Sequence, residues 1–335
     1  MGISFNYIDV MDQKGLFARG GIAILDVGAS NLYSATPDRI CQFVRKYNPG
    51  SADDLDGFAK RFAAGSAYDP GGAGVLNESW AGELFEKAGM HYVSFDIAQV
   101  YKTTVLDLNR ALLPSEFRSR FDLVLNFGTT EHIFNQLNAF RIIHEAMKVG
   151  GFVYHQLPAS GFTDHGYFTY TGRFFFDLAG FNDYEIFEFW LDGPAGFDNI
   201  WQPVKSYRNT FPALERALSI VNRDPHAQAL AAMDVPNIAI NIIYRKVKDA
   251  PFMGAIETST SVGTLWKHGL SAYEKYGEPA NARDALNNET PVPLEAMVAV
   301  CHAEVRKLRR EMDQLKRYLA IFRPLRPILD RFLRR

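Results

Sequence analysis

The chain has 335 residues, of which 47% are hydrophobic and 22% charged, with a formal net charge of −2. Those are the proportions of an ordinary soluble globular protein, long enough for one large core or a core plus an appendage. No apolar run approaches the ~20 residues of a membrane span. The opening MGISFNYIDVMDQKG also lacks the basic start and apolar run of a secretory signal. Cys41 and Cys301 lie far apart and form neither a metal-ligand nor a redox motif, which points to a reducing cytoplasm. Charge is uneven: residues 304–335 hold 11 Lys+Arg against 4 Asp+Glu, leaving −9 on the remainder. The tail is therefore set apart from the main domain.

In chain order, Ile22 to Val27 (IAILDV) is the first convincing strand, and DVGAS follows it. Thr36 and Pro37 suit an N-cap and first helical position, opening a helix through about Tyr47. A strand, a Gly-containing loop and a helix are used by two cofactor classes. An anionic pyrophosphate favours G-x-G-x-x-G and repels a carboxylate. Here Gly28 is followed by Ala29, Ser30, Asn31 and Leu32, and Asp26 stands at the strand end. That arrangement suits the ammonium and sulfonium of S-adenosylmethionine better than a nicotinamide dinucleotide. SADDLDGFAKRFAAG and ESWAGELFEKAG read as additional helices and YDPGGAGVL as a loop, with VSFDI after them as a strand.

Phe121 to Pro158 is the organising stretch. Phe121 to Phe127 is a short apolar strand suited to a parallel sheet. Apolar residues then recur at Ile133, Leu137, Phe140, Ile143 and Met147 as one helical stripe. Gly150 and Gly151 are expected to end that helix in a left-handed cap, with Phe152 to Leu157 returning as a strand. The unit is βαβ, and its polar turn, Asn126 to His132, leaves the end of a strand where open α/β sheets place ligands.

ILDVGAS, VSFDI, LDLN, FDLVLNFGTTEHI and MKVGGFVYHQLP, in that order, resemble the class I S-adenosylmethionine-dependent methyltransferases over roughly residues 22–247. The resemblance implies an α/β, Rossmann-like, seven-stranded sheet, mostly parallel with an antiparallel last strand. YEIFEFWL (from Tyr184) and NIAINIIYRKV (from Asn237) would supply the final pair. It also implies that Asp26, Gly28, Ala29, Ser30 and Asn31 border the methionine part of the cofactor. Asp96 would accept from the ribose hydroxyls, Asp107 and Leu108 would lie beside the adenine, and Asn126 and Phe127 would close the cleft. Asp107 and Asn109 also suit a plain turn or helix cap. Asp96 and Asp107 stand too close for a full crossover helix, so the cofactor rim departs from the family pattern.

Methyl transfer to oxygen or nitrogen needs alignment, exclusion of water and, for a hydroxyl, a base. Glu131 and His132 follow the fourth strand of that pattern, His155 lies in the fifth, and Asp164 and His165 lie in the loop after it. Each has a structural alternative: His132 as a helix brace, His155 as a satisfied core imidazole. No H-x-x-x-H or Cys-rich spacing is present, so no metal is expected. The aromatics from Phe162 to Phe176 suit core and cleft wall, and Trp201, Tyr207 and Arg208 suit a lid. The expected acceptor is a small molecule or a glycan sugar. Nucleic acid is disfavoured by the acidic main domain.

Leu294, Val298, Cys301, Val305, Leu308, Met312, Leu315, Leu319 and Phe322 alternate spacings of four and three, a coiled-coil signal. It predicts a homo-oligomer through residues 294–322, the alternative being a helix docked on its own subunit. The basic end RPLRPILDRFLRR suits contact with an anionic membrane surface or a solvated tail. The expected organisation is an N-terminal segment (1–21), a methyltransferase domain (22–249), an irregular linker (250–290), a coiled-coil-like helix (291–323) and a basic tail (324–335). A non-catalytic scaffold assembled through the coiled coil is the alternative to an enzyme.

Overall fold

The computed structural model describes residues 2–17, 21–51, 54–66, 79–162, 165–192 and 237–256. All of them belong to a first compact unit, Met1–Ala282. The coiled-coil and tail expectations, the YDPGGAGVL loop, Asp164 and the Trp201 region lie outside the described residues.

The first strand of the central sheet is β2 (Ala23–Val27), after a short β1 (Gly2–Ser4) and the helix α1 (Phe5–Gln13). Beyond the Gly28 loop, β3 (Asn31–Tyr33) pairs in parallel with β1, outside the main sheet. Helix α2 (Pro37–Tyr47) begins where its cap signals predict, with the Thr36 hydroxyl accepting from the Arg39 N–H at 3.4 Å. Such a cap is worth about 1 kcal/mol. Helices α3 (Leu55–Gly65) and α4 (Ala81–Lys87) precede β4 (His91–Asp96). β5 (Thr103–Val105) then pairs in parallel with β4 after only the residues 97–102, with no helix between them. Next come β6 (Phe121–Phe127), α5 (Gln136–Ala146), β7 (Met147–Ser160), α6 (Gly172–Asn182), β8 (Tyr184–Asp192) and β9 (Ile238–Lys246).

The sheet has seven strands in the order β5-β4-β2-β6-β7-β9-β8. β9 runs antiparallel to both of its neighbours, as the expected last strand should. Alternate side chains of the buried strands feed two apolar layers. Leu25, Val27, Val124 and Ile242 face α5 and α6, while Ile24, Leu123, Leu125 and Ile243 face α1, α2 and α4. Each large side chain buried this way contributes roughly 1.5–3 kcal/mol.

Two expectations change. Helix α5 ends at Ala146, because Met147 is already extended (φ −78°, ψ 129°) and pairs with Phe121. Gly150 and Gly151 therefore sit in an irregularity inside β7, not in a helix cap. Gly150 has φ +81°, and a Cβ on Gly151 would lie 3.0 Å from the Phe121 carbonyl, so the bulge needs both glycines. The apolar stripe is also shifted: Phe140 and Ile143 are buried, but Leu137 is exposed.

Candidate functional site

The carboxyl ends of β2, β4 and β6 lie side by side, and the first loop is built from behind. Asp26 is wholly buried. Its carboxylate accepts from the Ser30 N–H at 2.8 Å, the Ser30 hydroxyl at 3.1 Å and the Tyr92 hydroxyl at 2.8 Å. Burial pushes its carboxyl up to about 7, against the pull of those hydrogen bonds. Asp26 thus shapes the loop from inside and presents no surface to a ligand. At the turn itself Gly28 has φ +83°, a left-handed conformation that favours glycine, and its N–H donates to the Phe95 carbonyl at 2.7 Å. Ala29 and Ser30 are buried and Asn31 opens β3.

Asp96 closes β4 beside that loop and is half-buried. Its carboxylate accepts from the Ala29 N–H at 3.2 Å and the Ala98 N–H at 3.0 Å, one bond to each oxygen. A carboxylate has about four acceptor positions, so it can take further hydrogen bonds. Beside it Ile97 is 74% exposed, an apolar side chain held out at the rim that sequence reasoning did not single out. Its signal was an apolar residue directly after a strand-end acid. Asp107 folds back on its own turn, accepting from the Asn109 N–H at 2.9 Å, while Leu108 is buried. Asn126 and Phe127 are buried as well: Asn126 holds Thr130, and Phe127 packs edge-on to Tyr154.

The second group lies just past β6. A 3-10 turn, Thr130–His132, is anchored by Asn126, whose amide donates to the Thr130 hydroxyl at 3.0 Å. This turn drives Glu131 inward until it is 0% exposed. Its main-chain carbonyl is satisfied by the N–H groups of Tyr167 (2.8 Å) and Phe168 (3.2 Å), but neither side-chain oxygen has a hydrogen-bond partner. The loop after β7, turned by Gly161 (φ +70°) and Phe162 (φ +52°), brings His165 back over the carboxylate. His165 Nε2 stands 3.5 Å and His132 Nε2 3.9 Å from Glu131 Oε1. The two imidazoles meet at a centroid distance of 4.8 Å. Gly166 is obligatory there, since a Cβ would lie 2.9 Å from the Glu131 carbonyl. Desolvation raises the Glu131 carboxyl to about 7 and lowers both imidazoles from their ordinary value.

Glu131, His132 and His165 therefore come together, whereas His155 does not join them. His155 is buried among Phe140, Phe175 and Tyr244 with Asn126 at 2.9 Å, and burial lowers it to about 3. It is a core imidazole. His132 sits in the 3-10 turn, and the cap of α5 is Asn135, which accepts from the Asn138 N–H at 3.2 Å. A groove of about 380 Å³ lies elsewhere, between α5, α6 and residues 252–256, and none of the candidate cofactor or catalytic residues lines it.

No family model matches the chain, and no curated protein does. Similar solved structures include a SAM-dependent methyltransferase from Archaeoglobus fulgidus, at 12% identity and TM-score 0.33, covering 71% of this chain and 92% of that one. A phosphoethanolamine N-methyltransferase 2 from Haemonchus contortus, in complex with S-adenosyl-L-methionine, is 13% identical with TM-score 0.34, covering 71% of this chain and 53% of that one. The 1,6-didemethyltoxoflavin-N1-methyltransferase from Burkholderia thailandensis, with its substrate and S-adenosylhomocysteine, is 11% identical with TM-score 0.34, covering 73% and 84%. The chain has the fold of the class I methyltransferases. The strand order and the antiparallel β9 carry that likeness.

Proposed function

We propose that the chain is an S-adenosylmethionine-dependent methyltransferase acting on an oxygen or nitrogen of a small molecule or a glycan sugar. The observation that carries this reading is the meeting of Gly28 and Asp96 at adjacent strand ends. The positive-φ glycine lets the loop backbone approach a ligand, and the half-buried carboxylate beside it keeps acceptor positions open. Those are the features a nucleoside with two ribose hydroxyls and a charged tail requires. In this reading Asp96 takes the ribose hydroxyls, Ile97 offers an apolar face to the adenine, and the Gly28–Asn31 loop borders the methionine part. Asp26 contributes by holding that loop.

When bound, the cofactor supplies an electrophilic methyl on a sulfonium. The protein's share is to align an acceptor with it and to handle the acceptor's proton. The Glu131, His132 and His165 group occupies the next strand end along, and in this reading it serves the acceptor. Among the described residues no helix is long and apolar enough to cross a membrane.

Calorimetric titration with S-adenosylhomocysteine, with NADH as control, tests the cofactor class. The native chain should bind the former alone, and Asp96→Ala should weaken that binding about tenfold or more, since each 1.4 kcal/mol is tenfold. Unchanged affinity in the variant would remove the ribose assignment. Binding of neither ligand would favour the non-catalytic scaffold.

A further inference from the structure

We propose that Glu131, His132 and His165 form a binding site for one divalent transition-metal ion. The donor set is one carboxylate and two imidazoles, each offering a single ligand atom, and those atoms all lie within 4.8 Å of one another. A four-coordinate ion with bonds of about 2.0–2.2 Å spaces its ligand atoms about 3.3–3.6 Å apart. Glu131 Oε1 and His165 Nε2 are already 3.5 Å apart, His132 Nε2 is 3.9 Å from the same oxygen, and the two imidazoles close from within 4.8 Å by side-chain rotation on binding.

The independent pointer is Glu131 itself. A fully buried carboxylate with both oxygens unpartnered is an expensive arrangement, and it persists only when something else compensates it. Among the described residues no Lys or Arg is paired with it; the charge of the amino terminus acts on it through space without a hydrogen bond, and the described groups facing it are two imidazole nitrogens. A cation set between the three satisfies the carboxylate and both rings at once. The side chains of His132 and His165 are 37% and 48% exposed, so the ion would keep a face open to solvent or substrate. That is how a reactive site differs from a closed structural one. Two imidazoles and one carboxylate favour zinc, cobalt or iron(II) over magnesium, calcium or manganese.

The ion's role, unlike its binding, rests on the methyl-transfer reading. A hydroxyl acceptor bound to the open face loses its proton to solvent water, because the cation stabilises the alkoxide. The alkoxide oxygen then forms a bond to the methyl carbon as the carbon–sulfur bond breaks, leaving a neutral thioether. Neither imidazole has to serve as a free base in this scheme, and oxygen is preferred to nitrogen as the methylated atom.

The test uses the full chain, stripped with chelator and titrated with Zn²⁺ by calorimetry and with Co²⁺ by visible absorption, without cofactor or acceptor. The native protein and His91→Ala, which alters an exposed imidazole at the amino end of β4, should bind one ion per chain and give a Co²⁺ ligand-field spectrum. Glu131→Gln and His165→Ala should bind ~100-fold more weakly or not at all. An absence of binding by the native chain, or affinities that are equal across all four proteins, would overturn the site. His165→Ala alters a half-exposed loop residue and decides the matter even if Glu131→Gln fails to fold. Because nucleoside binding is scored separately, failure of either reading leaves the other standing.

Discussion

His155 and Glu131 are both titratable groups taken out of water, and burial moves their proton affinities in opposite directions. Around His155 stand Asn126 and three aromatic rings, with no acid in hydrogen-bond reach among the described residues, so burial favours the neutral ring. Its folded pKa of about 3 lies below the ordinary 6.5. Between those values the unfolded chain binds the extra proton, so this residue's contribution is complete above about pH 6.5 and is lost as pH falls through 3. At pH 5 the gap to the unfolded pKa corresponds to roughly 2 kcal/mol of lost stability. His155→Gln should abolish that share. Urea unfolding at pH 7 and pH 5 should show the native chain losing about that much more than the variant. Equal pH dependence in both would mean the ring is not held neutral by burial. Sequence reasoning could weigh a core role for His155, since it alternates with apolar neighbours. It could not settle it, because the three rings that enclose it come from α5, α6 and β9.

At the scale of elements, signals carried by adjacent residues were legible and signals carried by pairing were not. Thr36-Pro37 announces α2 because capping is local. The Gly150-Gly151 pair carries no such local mark, because a glycine stop and a strand bulge use the same backbone freedom and only pairing with β6 distinguishes them. β1 and β3, at three residues each, carry no periodicity at all, so they escaped notice. Their consequence is substantial, since they tie the chain's start to the loop after β2. From β1 the chain enters α1, where Tyr7 packs edge-on to Phe127 and Tyr154 under the sheet. Residues 2–17 therefore contribute to the core around the candidate site. Tyr7→Ala should cost about 3–5 kcal/mol, the usual range for deleting a buried aromatic, read from the urea midpoint at constant m-value. A change below 1 kcal/mol would show that α1 is a detachable decoration.

At the scale of the whole molecule, the order of the sheet explains how the separate parts of the site meet. β2 lies between β4 and β6, so the Gly28 loop, Asp96 and the Glu131 turn emerge at neighbouring strand ends although the chain visits them about 35–70 positions apart. Their convergence depends on the parallel connections, which no local spacing along the sequence records. His165 returns to Glu131 from a loop in which residues 161 and 162 have positive φ. Assembly is the remaining question at this scale. The main domain is acidic, and residues 304–335 carry a net +7 with heptad spacing through residues 294–322. The proposed role of this stretch is self-association, in which paired helices bury the Leu, Val and Met seam and leave the charges outward. A chain ending at Ala285 should keep its unfolding midpoint and its affinity for S-adenosylhomocysteine, while light scattering reports a smaller number of subunits than for the full chain. An unchanged subunit number would move the oligomer interface into the first compact unit. A monomeric full chain would instead favour a helix docked on its own subunit, whose loss should lower the midpoint.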